Sequence, residues 1–256
     1  MVRKFFLVFL ICSLVLPSNA ADAKGRKGRY YFEKRGEIVW EVPTQQKVIC
    51  FTFDDGPDPK YTPQILNVLN QYQAKATFFV TGNQVERFPQ VVQKEAMQGH
   101  EIANHTFNHK YLDKYNEEGI EKEIVHAQDI IYAVTGQTTK LFRPPGGYYN
   151  ERIVSAAKKH GYTVIMWSWH QETKDWSDPG VDKIVKRVLD NTRNGDIVLL
   201  HDHSGKRSQT VDAIAQIIPE LKKRGYQFIT VSELLRIKEL EAEKKKENLH
   251  KTNEKE

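Results

Sequence analysis

The chain has 256 residues, 38 Lys and Arg against 33 Asp and Glu for a formal charge of +5, and two cysteines. That length can bury one sizeable core and suits a single barrel-type α/β domain, while two cysteines rule out a scaffold built on several disulfides. The mild positive charge suits an anionic partner such as a cell wall, and with no basic stripe interleaved with aromatics no nucleic-acid partner is expected.

Residues 1–20 read as a secretory signal peptide. Met1-Val-Arg-Lys4 is basic, Phe5–Leu16 is apolar, and Ser18 and Ala20 are small residues at a cleavage site. The apolar run is short for a membrane span, so no stable span is expected after cleavage and the protein is placed outside the cell, secreted or in the wall; an uncleaved anchor is the alternative. Cleavage removes Arg3, Lys4, no acid and Cys12, which takes the charge from +5 to +3 and leaves Cys50 without a disulfide partner. Residues 21–43 form a basic linker, Lys24-Gly-Arg-Lys-Gly-Arg29, followed by an N-terminal strap in which Tyr30-Tyr-Phe32 and Ile38-Val-Trp40 pack as a short strand or apolar strip.

From residue 44 to 237 strand-like and helix-like runs alternate. Val48–Phe53 is a buried strand that stops at Asp54-Asp55-Gly-Pro57. Successive strand side chains point to opposite faces, so both carboxylates can leave the core together only if the chain turns there. Two readings stay open for this stretch: a catalytic strand end, or a capping turn in which Asp55 or Asp58 starts the helix near Tyr61. The following strand–helix rounds are Ala76–Thr81 with Pro89–Gly99, Glu101–His105 with Glu117–Val134, Thr139–Arg143 with Asn150–His160, Thr163–Trp167 with Val181–Asn191, Asp196–Leu200 with Gln209–Arg224, and Gln227–Val231. Gly99, Gly161 and Gly225 stand where helices close before strands. About seven βα units predict parallel strands with right-handed crossovers, in a closed barrel or a doubly wound sheet. Residues 238–256 are a charged tail, a solvated helix fraying into disorder.

Chemically capable residues collect at the strand ends: Asp54 and Asp55, His105 and His109, Arg143, Asp175 with Trp176, and Leu199 with His201. In a parallel α/β fold these ends meet on one rim. His105 and His109 are four apart, which on a helical turn puts both imidazoles within reach of one metal. With one carboxylate they form an open ligand set of catalytic character. Plainer readings stand beside each feature: surface histidines, a capping turn at Asp175, an ordinary surface Arg143, and a core Leu199.

The ordered set Thr52-Phe-Asp-Asp-Gly56, His105-Thr-Phe-Asn-His109, Arg143-Pro-Pro145, Asp175-Trp176 and Leu199-Leu-His201 resembles the motifs of the polysaccharide deacetylases, the NodB-like carbohydrate esterase family 4, over Val48 to Leu235. The resemblance implies a distorted (β/α) barrel, one divalent metal, zinc in most members with Co2+ or another divalent ion possible, and hydrolysis of acetyl groups on a polysaccharide. It carries the metal ligands onto Asp55, His105 and His109, and the general base, acting on a metal-activated water, onto Asp54. His201 becomes the general acid, oriented by Asp175, and Arg143 fixes the base. Gly146 supplies a backbone N–H to the developing oxyanion, and Trp176 and Leu199 wall the acetyl methyl.

Two positions depart from the family pattern: Gly146-Gly147 stands where an aromatic commonly follows Pro-Pro, and Glu172 where the fourth motif usually begins with Asp. The function expected is an exported, metal-dependent deacetylase of cell-wall polysaccharide, with N-acetylglucosamine of peptidoglycan as substrate. Its rivals are the same chemistry on chitin oligomers or O-acetylated xylan, a wall-binding protein with little turnover, and a hydrolase of a small amide. A monomer is expected.

Overall fold

The computed structural model describes residues 27–253, so the expected signal peptide and the start of the basic linker lie outside it. In chain order the elements are α1 (Arg29–Lys34), β1 (Ile38–Val39), β2 (Val48–Asp54), α2 (Tyr61–Gln71), β3 (Ala76–Val80), α3 (Gly82–Arg87), α4 (Pro89–Met97), β4 (Glu101–Asn104) and α5 (Glu117–Thr135). They continue with β5 (Leu141–Phe142), α6 (Glu151–Lys159), β6 (Thr163–Ile165), α7 (Val181–Asn191), β7 (Asp196–His201), α8 (Ser208–Lys223), β8 (Gln227–Phe228) and α9 (Val231–Asn253). All strand pairings are parallel, in the order β1-β6-β5-β4-β3-β2-β7, with β8 added beside the start of β2.

This is a distorted (β/α) barrel curled into a half-barrel. Regular ladders run from β1 to β7 but do not close. Irregular chain bridges the gap: Val42 N–H donates to Gly195 O (3.0 Å), Ser168 N–H donates to Ile197 O (3.0 Å), and Glu172 makes a lone bridge to Leu199.

The period of two along each strand sorts the side chains. On β2, Ile49, Phe51 and Phe53 face outward into the cluster that α2, α7 and α8 cover, together with Phe78, Val80, Val198 and Leu200. Val48 and Cys50 face the barrel interior with Phe79, Ala103, Leu141, Ile165 and Ile197. Thr52 and Asp54 continue that inward row, so a polar pair sits where the interior opens at the strands' C-terminal ends. Val231 and Leu234 of α9 belong to the same interior cluster, and the Val231 N–H is tied to Thr77 Oγ1 (2.9 Å).

Local chemistry explains most boundaries. Asn116 and Asn150 cap α5 and α6 by accepting the N–H groups of Gly119 and Ile153. Gly99, Gly161 and Gly225 take φ of 75°, 76° and 87° just before β4, β6 and β8. The strap differs from expectation in its first half: Tyr30-Tyr-Phe32 lies in helix α1, with Phe32 buried, while Ile38–Val39 is a strand. Packing decides this, because Phe32 must reach Trp40 and the α6 face to leave water. The extra helix α3 was hidden in a short polar stretch without apolar periodicity. Residues 242–248 of α9 are exposed and mostly charged.

The interior role of α9 predicts that Leu234→Ala costs about 2–5 kcal/mol of stability, whereas Glu243→Ala on its exposed turns costs under about 0.5 kcal/mol. Denaturant melts of the two variants check this.

Candidate active site

Two adjacent carboxylates face one cleft because the chain turns between them. Asp54 ends β2 in its inward row, opposite His201 in the register with β7. Asp55 then takes φ 78°, a left-handed conformation that redirects its side chain toward the same space. Such a conformation costs about 1–3 kcal/mol at a non-glycine residue and persists only where the surroundings impose it.

Here they do. Asp202 N–H donates to Asp54 O (3.2 Å), and Thr81 N–H donates to Gly56 O (3.0 Å). The Asp202 carboxylate packs so closely on Gly56 that a Cβ there would collide with it. Thr62 Oγ1 donates to Asp202 Oδ2 (2.5 Å) and accepts from Asp58 N–H (2.7 Å), tying the turn to α2. Burial pushes the Asp202 carboxyl up to about 7, against the opposing hydrogen bond from Thr62. Of the two residues read as starting the helix near Tyr61, Asp58 is the one that serves the turn into α2: its Oδ1 accepts from the N–H groups of Lys60 (2.8 Å) and Tyr61 (2.9 Å).

His105 and His109 follow β4, but not on a helical turn as their spacing suggested. The segment is a loop in which Thr106 and His109 have φ of 69° and 54°. Thr106 N–H donates to Asn104 Oδ1 (2.9 Å), Thr106 Oγ1 accepts from His109 N–H (3.1 Å), and both amide groups of Asn108 bond to Glu123 of α5. These bonds bring the two imidazoles to 5.0 Å between ring centres.

His105 Nδ1 must donate to Arg143 O (2.7 Å), since a carbonyl oxygen only accepts. Its Nε2 therefore faces Asp55 Oδ1 at 3.5 Å, and His109 Nε2 lies 3.0 Å from the same oxygen. Burial works against charge on Asp55, yet its bonds with the two imidazoles hold its carboxyl well below the usual carboxylate range. One donor atom from each of these three residues falls within 4.8 Å of the others. Two imidazole nitrogens and one charged carboxylate, with the His105 ring fixed from behind, fit a divalent ion such as zinc and leave coordination positions open.

Behind the floor lies Arg143, wholly buried in the barrel interior. Its Nη1 donates to Asp54 Oδ1 (2.6 Å) and Thr52 Oγ1 (2.9 Å), its Nε to Ile165 O (3.0 Å) and its Nη2 to Met166 O (2.9 Å). The guanidinium lies over Phe79, 3.9 Å from the ring centre. Burial lowers its pKa and Asp54 opposes that shift.

His201 has the matching support. Asp175, buried, takes His201 Nδ1–H on Oδ1 (2.7 Å), and on Oδ2 both the His201 backbone N–H (2.9 Å) and Thr210 Oγ1–H (2.8 Å). Burial disfavours the imidazolium, but the charge and hydrogen bond of Asp175 outweigh it and His201 is raised to about 9. Asp175 in turn is lowered: burial acts upward, and His201 overrides it.

These groups line a cleft of about 370 Å³. Asp54, Asp55, His105, His109, Gly146, Trp176, Leu199 and His201, all singled out in the sequence, border it together with Tyr111, Gly147, Tyr148, Trp167 and Glu172. Arg143 and Asp175 stand directly behind, bonded to Asp54 and His201. Gly146, at φ 64°, lies in a 3₁₀ turn, and its N–H has no partner among the described residues. Sequence reasoning missed Tyr111, Tyr148 and Trp167 as lining residues. Trp167 could have been found from its place just past β6, Tyr111 from standing two residues beyond His109. Of the other histidines whose side chains are described, His203 pairs with Asp58 and Gln84, His170 with Asp196 and His160 with Glu121, while His126 stacks on Phe107 and His100 is buried.

Comparison with known proteins shows which family the chain is similar to. The polysaccharide deacetylase family model matches residues 41–165. A peptidoglycan-N-acetylglucosamine deacetylase of Bacillus cereus is 51% identical over 210 residues, covering 82% of this chain and 98% of that protein. A chitooligosaccharide deacetylase of Rhizobium leguminosarum bv. trifolii is 38% identical over 209 residues, covering 75% of this chain and 96% of the relative. Among solved structures, the Bc1960 peptidoglycan N-acetylglucosamine deacetylase superposes with a TM-score of 0.78 at 34% identity, over 81% of this chain and 96% of the other.

The packing of Asp202 on Gly56 predicts that Gly56→Ala destabilises the fold by about 1–3 kcal/mol, the range for overpacking, and lowers divalent-ion affinity as the Asp55 turn shifts. Thermal unfolding and calorimetric titration of the variant with Zn2+ check both outcomes.

Proposed function

The chain belongs to the polysaccharide deacetylase family, and from that membership we propose that it is an exported, metal-dependent enzyme that removes N-acetyl groups from cell-wall polysaccharide, with N-acetylglucosamine of peptidoglycan as its substrate. The observation that carries the reading is the joint presence, in one cleft, of three residues with donor atoms close enough to share an ion, a separately held carboxylate and a supported imidazole. The identity to a peptidoglycan N-acetylglucosamine deacetylase supports the substrate, as do the expected signal peptide and the basic mature surface.

Asp55, His105 and His109 would hold the divalent ion. Bound there, it would polarise the amide carbonyl and lower the pKa of a water molecule. Asp54 acts as base: Arg143 takes one of its oxygens, and the carboxylate, though nearly buried, borders the cleft, placed to accept the proton of the attacking water. The Gly146 N–H meets the negative charge that grows on the carbonyl oxygen. Trp176 and Leu199 enclose the acetyl methyl. His201 delivers its proton from Nε2 to the departing sugar nitrogen, because Asp175 occupies Nδ1 and favours the protonated ring. The products are acetate and a free amino sugar. A binding protein without turnover has no use for this pairing of a clamped base with a charged acid, each backed by its own buried partner.

The test is acetate release by protein lacking residues 1–20, offered peptidoglycan and N-acetylglucosamine oligomers, with and without a chelator. Chelator-sensitive release, faster from peptidoglycan, is the expected result; no release from either, in protein that holds metal, defeats the enzymatic reading. Faster release from free oligomers would move the substrate to chitin-like chains.

The Asp175–His201 pair gives a pH prediction. Asp175 raises the His201 pKa by favouring its charged form, so Asp175→Asn lowers that pKa. As the general acid must be protonated, the alkaline limb of the kcat profile moves to lower pH. At the optimum, kcat falls by about 10²–10⁴, the usual worth of a general acid.

A further inference from the structure

Gly146 and Gly147 follow Pro144-Pro145 in the turn after β5, and aromatic rings occupy the space that their missing side chains leave. Both have positive φ, 64° and 67°. A Cβ on Gly146 would lie 2.8 Å from Tyr111 Cε1 and 3.0 Å from the Tyr148 ring; one on Gly147 would lie 2.5 Å from Trp167 Cη2. The paired glycines therefore let aromatic rings from three other positions close over the turn. Tyr111 comes from the loop after β4, Tyr148 from the loop after β5, and Trp167 from just past β6. Tyr111 and Tyr148 meet edge to face at 5.1 Å between centroids. Both border the cleft, yet 51% and 52% of their surfaces remain in water.

We propose that Tyr111 and Tyr148 form a stacking subsite for the pyranose unit next to the one that loses its acetyl group, and so make the enzyme selective for chains over single sugars. The inference rests on the deacetylase reading of the same cleft and adds which part of the substrate these rings recognise. Two observations carry it.

The first is size. At about 370 Å³ the cleft is near the lower end of the range for small-ligand sites, roughly 300–1,000 Å³. It accommodates the reacting sugar, and neighbouring units must lie along the rim. The second is exposure. The chemistry sits on the floor, where the His105 and Asp54 side chains are 2% and 5% exposed, while the tyrosine pair is half in solvent. A pyranose has an apolar C–H face and a hydroxylated edge. It suits an amphipathic ring that packs on one side and hydrogen-bonds at its tip. Each tyrosine also restrains its partner, so little side-chain entropy is lost when a sugar docks.

The test compares the native enzyme with Tyr111→Ala, Tyr148→Ala and the double variant on N-acetylglucosamine oligomers of increasing length. The expected result is a KM raised about five- to tenfold in the double variant for long oligomers, the scale of one or two aromatic contacts, with kcat unchanged and little effect on the shortest substrate accepted. Tyr111→Phe and Tyr148→Phe should retain most of the stacking and rescue KM. A fall in kcat at constant KM, or a KM rise independent of chain length, overturns the subsite.

Calorimetric binding of an N-acetylglucosamine pentamer to Asp54→Asn protein, with and without the tyrosines, separates this inference from the deacetylase reading. If native protein shows no turnover but the pentamer binds and loses affinity when the tyrosines are removed, the subsite stands and the enzymatic reading falls. If the pentamer does not bind when both tyrosines are present, or binds equally without them, the subsite falls.

Discussion

The interaction on which the site depends is the buried ion pair between Arg143 and Asp54. A guanidinium in a barrel interior is expensive unless most of its N–H groups find acceptors and a counter-charge is at hand. Here the backbone carbonyls of Ile165 and Met166, the hydroxyl of Thr52, the Phe79 face and the Asp54 carboxylate meet those demands together. The pair is weak evidence for stability, since a packed apolar pair of similar volume can do as well. Its effect is geometric. It fixes the carboxylate of Asp54 from behind, while the peptide oxygen of Arg143 fixes the His105 ring. One residue thus orients both Asp54, the proposed base, and an imidazole of the proposed ion-holding triad.

Around that pair the site is layered. Buried groups that never meet substrate set the orientations: Arg143 for Asp54, Asp175 for His201, and Asp202 with Thr62 for the Asp55 turn. Above them lie the carboxylates and imidazoles that line the cleft, and above those a rim of half-exposed aromatics. Three non-glycine residues with positive φ, Asp55, Thr106 and His109, fall in the two segments that carry the candidate ion ligands. That local strain, about 1–3 kcal/mol each, is borne by the core on both faces of the sheet.

Much of this was legible in the sequence, for definable reasons. The alternation of strands and helices follows from side-chain periods of two and 3.6, and only barrel closure lay beyond it, because irregular chain at Val42 and Ser168 to Glu172 completes the circuit instead of a ladder. The residues now seen around the cleft could be picked out because strand C-terminal ends converge, and because five short motifs stand in order along the chain. What failed was local geometry. The four-residue spacing of His105 and His109 suggested a helical turn, but tertiary bonds from Asn104 and Glu123 impose a loop. The helix α1 and the aromatic rim depend on contacts between distant segments, Phe32 with Trp40 and Tyr111 with Tyr148, which no periodicity encodes. The glycine pair at 146–147, read in the sequence only as a departure from the family pattern, is the space that admits those rings.

The central claim is a division of labour between neighbouring carboxylates, with Asp55 given to the ion and Asp54 to the proton. The most direct measurement is Co2+ binding by calorimetry and visible absorption, alongside acetate release, in Asp54→Asn and Asp55→Asn proteins. The account predicts that Asp55→Asn loses high-affinity binding and turnover together, while Asp54→Asn keeps a bound, spectroscopically similar ion and loses turnover alone. Turnover surviving in Asp54→Asn, or ion affinity indifferent to Asp55, would contradict it.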